Sequence, residues 1–177
     1  MKRVVWLLSL MAVACDGGSG SSALDASDAA RDAGADAADS ALTSVELGSG
    51  ESAFEPVVDG QHLTLYAGTQ GGHHVWLSYR VQGLMPDDVR MQLDVVPMPP
   101  ARPAHSDVRL DLDPTADGTA GYEFIGWPAQ ILDPECAVGR VVSISLTLTD
   151  SRGKQASGAM NVIPDPPRLG FTRSCTQ

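Results

Sequence analysis

Between Arg140 and Thr149 the chain alternates without a break, with Val142, Ile144, Leu146 and Leu148 on one side and Ser143, Ser145, Thr147 and Thr149 on the other. A two-residue period built from aliphatic and β-branched side chains belongs to a strand with one face in a core and the other in water. A slip of one residue would turn every apolar side chain outward, so the segment has to pair in a defined register. Asp150-Ser151-Arg152-Gly153 supplies turn residues, and Gln155 to Ile163 resumes the pattern through Ala156, Met160 and Val162. Together these predict a β-hairpin.

The same period recurs along the chain. His74 to Val81 sets Val75, Leu77, Tyr79 and Val81 against His74, Trp76, Ser78 and Arg80, and Val89 to Val95 repeats it through Val89, Met91, Leu93 and Val95. Val108, Leu110 and Leu112 alternate with Arg109 and Asp111, and Leu63 and Leu65 with Thr64 and Tyr66. Shorter strands are expected at Tyr122 to Ile125 and Ser44 to Leu47. No window outside the N-terminal apolar run carries a helical apolar stripe of useful length. Seven or eight short strands with Gly, Pro and Asp between them, over residues 43–177, predict an all-β, antiparallel β-sandwich.

The strand-turn-strand from Val142 to Ile163 resembles the last hairpin of many bacterial immunoglobulin-like and fibronectin-like domains. That resemblance implies an immunoglobulin-like sandwich. A jelly roll or a small barrel gives the same alternation.

The N-terminal quarter has a different texture. Lys2 and Arg3 precede an apolar run from Val4 to Ala14 broken only by Ser9, and Ala12-Val13-Ala14-Cys15 closes it with small residues. The run is too short for a spanning helix, which takes about 20 apolar residues, and has the form of an export signal. Its end resembles the lipobox of bacterial lipoproteins, with Ala12 where that family usually has Leu. The resemblance implies cleavage before Cys15, a covalent lipid on Cys15, and a protein held in the cell envelope beyond the inner membrane. A soluble secreted protein cut near Ala14 is the competing reading.

Residues 15–42 are almost entirely Asp, Ala, Gly and Ser, with only Leu24 and Leu42 as large apolar side chains. Such a segment cannot offset its own ordering entropy and is expected to be a disordered acidic linker. The expected organisation is therefore a signal peptide over 1–14, lipidated Cys15 with its linker over 15–42, and the β domain over 43–177. Loss of residues 1–14 removes Lys2 and Arg3 and no acid, which moves the formal charge from −10 to −12. An acidic chain without clustered Lys or Arg is a poor match for nucleic acid.

With Cys15 assigned to the lipid, Cys136 and Cys175 are the pair expected to form a disulfide in an oxidising compartment. Two unpaired thiols are the alternative.

The most unusual stretch of the domain is Gly68-Thr69-Gln70-Gly71-Gly72-His73-His74-Val75-Trp76. It resembles a Gly-x-Gln-Gly-Gly-x-His-apolar-Trp signature of Gram-negative envelope lipoproteins with Asp/Ala-rich spacers, a likeness that brings no activity with it. One reading is a glycine turn leading into a strand, with His74 hydrogen-bonded to nearby backbone. The other is a Cu or Zn site in which His73 or His74 is joined by His62 or His105. Adjacent histidines on a strand point to opposite faces, which argues against His73 and His74 sharing an ion. Asp111, Asp113 and Asp117 suggest an irregular calcium loop, yet an EF-hand register places Phe124 where the bidentate Glu belongs. An acidic turn is the default there.

No nucleophile elbow, zinc-protease helix, phosphate loop or dinucleotide fingerprint is present. Glu123 with Asp133 or Glu135 forms a conceivable carboxylate pair, but pairs of acids are ordinary in an acidic chain. The expectation is a non-catalytic binding or structural module without a cofactor other than the lipid. Its partner classes are the membrane, through the anchor, and an envelope protein or glycan. Its candidate surface is Gln70, His73, His74, Trp76, Arg80 and Trp127, with Trp127 in a loop. The competing reading is a small metal-binding or hydrolytic domain that uses the histidines.

Overall fold

A computed structural model of the chain describes residues 42–68, 71–167 and 175. The signal, the linker up to residue 41, Cys15 and Gln70 lie outside the described residues.

The strong alternation of the hairpin segment becomes β10 (Val142–Thr149) and β11 (Gln155–Asp165), paired antiparallel from Val142 with Val162 to Thr149 with Gln155. Their turn is tied by Asp150, whose buried carboxylate accepts the N–H groups of Met85, Arg152 and Lys154. Burial pushes that carboxyl up, but the N–H groups of Met85, Lys154 and Arg152 outweigh it and hold the group below the usual aspartate range.

On the other side of β10 lies β6 (Val89–Pro97), and beyond it β7 (Ala104–Leu110). With β3 (Gln61–Thr64) on the far side of β11, these make one sheet in the order β3-β11-β10-β6-β7. The pairing of β3 with β11 is parallel, which departs from the all-antiparallel expectation.

The second sheet is built around β5 (His73–Gln82) and β9 (Tyr122–Ile131). Its order is β2-β1-β5-β9-β8, with β1 (Ser44–Ser49), β2 (Glu55–Pro56) and β8 (Asp113–Pro114); β4 (Tyr66–Ala67) also pairs with β5. The segment expected as one strand around Leu63 and Leu65 is thus two. β3 belongs to the first sheet and β4 to the second, and buried Leu65 marks the crossing. A period-two pattern reports which side chains are buried, not which partner strand buries them.

β9 runs to Ile131, well past the expected end at Ile125. Gly126 and Pro128 disguise it in sequence. Pro128 is tolerated because β8 pairs only with Tyr122 and Glu123, which leaves the rest of β9 as an edge. Pro164, just past the expected end of the hairpin's second strand at Ile163, lies inside β11 beside edge strand β3.

The inner faces share one core. Val75, Leu77, Tyr79 and Val81 from β5 meet Met91, Leu93, Val95, Ile144, Leu146, Leu148 and Val162 from the opposite sheet. Each such side chain, fully withdrawn from water, contributes about 1.5–3 kcal/mol. The four-residue helix α1 (Pro134–Ala137) closes one end; it is too short to leave a 3.6-residue signature. Cys136, on α1, forms a disulfide with Cys175, 39 residues away in sequence. A crosslink over that span stabilises by about 4 kcal/mol in the chain-entropy model.

The described chain begins beside the Gln82 end of β5, where Ser44 pairs with Gln82. The glycine segment before His73 and the Cys136–Cys175 bridge lie at the opposite end, where His73 pairs with Ile131 just ahead of α1. A ten-residue strand puts about 30 Å between the two ends.

Candidate functional site

The outer face of β5 carries His74, Trp76, Ser78 and Arg80 in a row, about 7 Å from one to the next. β1 pairs with Ser78 to Gln82 and β4 with His73 and His74, so neither strand covers the stretch between. The loop between β1 and β2 folds back over the middle of this row. Ser78 is fully buried there; its hydroxyl donates to the Gly50 carbonyl at 2.9 Å and accepts from the Gly126 N–H at 3.0 Å. The close approach requires glycine. At Gly50, with φ of +109°, a Cβ would sit 1.9 Å from the Ala53 carbonyl oxygen, and at Gly126 it would sit 2.5 Å from that of Glu51. The β-bulge in the pairing of β5 with β9 falls at this serine.

On one side of Ser78, Arg80 is fully engaged. Its Nε donates to Glu123 at 3.0 Å, its Nη2 to Asp117 at 2.9 Å, and its guanidinium lies 4.4 Å from the centre of the Phe54 ring. Glu123 is buried, and its second oxygen accepts the Ala116 N–H. Hydrogen bonds from Thr119, followed by the charge of Arg80, hold the Asp117 carboxyl below its usual range. This corrects the expectation of a surface shared by Arg80 and Trp76, because Arg80 is turned to Glu123, Asp117 and Phe54.

On the other side, Tyr66, His74 and Trp76 form a continuous aromatic cluster. Tyr66 stacks on His74 with ring centres 6.0 Å apart, His74 meets Trp76 edge-on at 4.4 Å, and Tyr66 and Trp76 are 6.0 Å apart. Among the described residues the His74 side chain has no hydrogen bond to backbone, contrary to the turn reading; its Nε2 is buried without a partner, as is the indole Nε1 of Trp76. Burial lowers the His74 pKa, with nearby Glu51 pulling the other way, so the ring is neutral at pH 7.

Beside Trp76 and Tyr66 opens a groove of about 410 Å³ that Glu51, Glu55, Gln61 and His62 also line. His62 is held by Asp165 at 2.7 Å, and the Gln61 side-chain oxygen accepts the Val58 N–H. Glu51 and Glu55 have no ion-pair partner among the described residues.

The remaining candidates disperse. Trp127 is in β9 and not in a loop; opposite Leu77, it faces inward, packs edge-on against Phe124 and keeps its indole N–H buried without a partner. His105 pairs with Asp94 on the other sheet, Asp111 accepts the Asp88 N–H, and Asp113 sits in β8. His73 lines a separate groove of about 520 Å³ with Gly71, Gly72, Arg102, Asp133 and Glu135, in which Arg102 and Asp133 are bound to each other through both guanidinium and backbone N–H. No group of three or more His, Cys, Asp or Glu able to hold a metal ion occurs among the described residues. No helix there is long and apolar enough to cross a membrane.

No protein-family model, curated protein or solved structure matches this chain, so no catalytic family and no enzyme homologue attaches to it.

Sequence reading selected His74 and Trp76 but missed Tyr66, Glu51 and Glu55. Tyr66 reaches the cluster only because the chain changes sheets at Leu65, and the two glutamates only because the loop folds back over β5. Neither event leaves a local pattern.

Proposed function

We propose that this chain is a lipid-anchored protein of the cell envelope whose β domain is an immunoglobulin-like, non-catalytic binding module, working through the groove beside Trp76. The observation that carries the reading is the aromatic cluster of Tyr66, His74 and Trp76 at the wall of an open groove. Concave sites that combine aromatic walls with a few polar groups are where proteins take up ligands, and Trp and Tyr offer large contact area at low entropic cost.

The immunoglobulin-like assignment is supported by strand order. β1-β5-β9-β8 in one sheet and β6-β10-β11 in the other follow the ABED and CFG arrangement of that fold. The envelope assignment rests on the basic start, the apolar run and Cys15. A lipid there would tether the domain through an acidic spacer attached at the Gln82 end of β5.

Two measurements on the full-length protein test the reading. Labelled fatty acid is expected on the wild type and not on Cys15→Ala. Ligand titration is expected to move the indole N–H resonance of Trp76, identified by its loss in Trp76→Phe, and to leave Trp127 in place. Unlabelled wild type, or a Trp76 signal indifferent to every ligand class, would overturn the corresponding half.

A further inference from the structure

The row of side chains on β5 contains one finished cation site and one that has every part but the cation. Around Arg80, an aromatic ring and two carboxylates enclose a guanidinium. Around Trp76, aromatic rings and two carboxylates border a groove with no lysine or arginine among the described residues that line it. Resting on the binding function proposed above, we infer that the groove takes a cationic side chain, an arginine or lysine presented by a partner protein.

Charge complementarity selects this occupant. Among the described residues Glu51 and Glu55 are exposed and have no ion-pair partner; Glu46, Asp87, Asp113 and Glu135 have none either, but of these only Glu51 and Glu55 line the groove walled by Trp76 and Tyr66. Glu51 is close enough to His74 to act on its titration, and the Glu55 side chain lies over Gly50, where a Cβ would come within 3.4 Å of it. Both glutamates line the groove together with Tyr66 and Trp76. A cation over an indole or phenol face gains about 0.5–1 kcal/mol at an exposed site and about 2 kcal/mol when desolvated. Charge-assisted hydrogen bonds to a carboxylate add to that. His74, neutral at pH 7, does not oppose the incoming charge. A neutral ligand would leave both carboxylates unpaired at the edge of a closed contact, which is unfavourable.

The test is a titration of the full-length protein in detergent with tetra-arginine amide, tetra-lysine amide, choline, and the neutral disaccharide cellobiose, read at the Trp76 indole N–H. The basic peptides are expected to shift that signal, with at least tenfold weaker binding to Glu51→Gln/Glu55→Gln and progressive weakening with salt. Both glutamates are exposed, so an unchanged amide spectrum in the absence of ligand certifies that the variant is folded. Equal affinity of the peptides for wild type and variant would reduce the effect to general attraction by an acidic protein and overturn the inference. Choline binding without peptide binding would also overturn it, since the occupant would then be a quaternary ammonium group. Cellobiose binding alone would overturn the cation and leave the binding function standing. Silence at Trp76 with all four would overturn the inference.

Discussion

The two halves of the outer face of β5 are made of the same materials and arrive at different ends. Arg80, Phe54, Glu123 and Asp117 form a closed set in which each charge is met by another, and Glu123 can be buried because Arg80 is beside it. Trp76, Tyr66, His74, Glu51 and Glu55 form an open one, with rings packed on rings, carboxylates in solvent, and two buried nitrogens unsatisfied. Charge satisfied from within becomes structure. Charge left unsatisfied beside an aromatic groove is available to a partner. The loop after β1 serves both, giving Phe54 to one side and Glu51 to the other.

The largest expected effect comes from that shared loop. Gly50→Ala places a Cβ against the Ala53 carbonyl in a backbone conformation that disfavours side chains, and is expected to cost about 3 kcal/mol in denaturant unfolding. A variant as stable as the wild type would mean that the loop is free to move and the two halves are not joined. Next, Arg80→Met leaves Glu123 buried beside no cation. Because Arg80 is partly exposed, the expected loss is smaller than that of a wholly buried pair but larger than that of a surface substitution. Glu51→Gln/Glu55→Gln should change stability by no more than about 0.5 kcal/mol, as ordinary surface substitutions do. Similar losses in the two experiments would erase the distinction between closed and open sets.

A smaller effect is expected with pH. The folded-state pKa of His74 is lowered from 6.5, so the unfolded chain binds the proton more readily. The contribution of the neutral ring is thus fully present above pH 6.5 and is lost as pH falls below it. Unfolding midpoints at pH 7.5 and pH 5.5 should differ more in the wild type than in His74→Gln. An equal difference would show that the ring is no less solvated in the folded protein. For Trp76→Phe the expected change is also small, within about 1 kcal/mol, because the ring is only half-buried and its N–H has no partner to lose. A larger loss would move Trp76 from the open half into the framework.

How much was legible follows from the reach of each signal. β10, β11, β5 and β6 declared themselves because burial on one face imposes a two-residue period on any strand. The inward Val75, Leu77, Tyr79 and Val81 could be named from sequence for that reason. Two-residue strands such as β2, β4 and β8 have no period to display. Trp127 was misplaced because its flanking Gly126 and Pro128 usually mark loops; here they accommodate a bulge and an edge. Of the expected binding surface, His74 and Trp76 share one site, Arg80 is spent internally, Trp127 packs inward, and His73 lines a different groove.

By itself the sequence determined that the domain is all-β and which faces of the main strands are inside, and, with the lipobox resemblance claiming Cys15, it left Cys136 and Cys175 as the thiols expected to pair. These are local periodicities and counts, and burial writes them directly into residue order. Only the tertiary structure decided that Arg80 is already occupied while Glu51 and Glu55 are not. Ion pairing depends on which loop folds over which strand, and nothing in the order of residues along one strand records what lies above it.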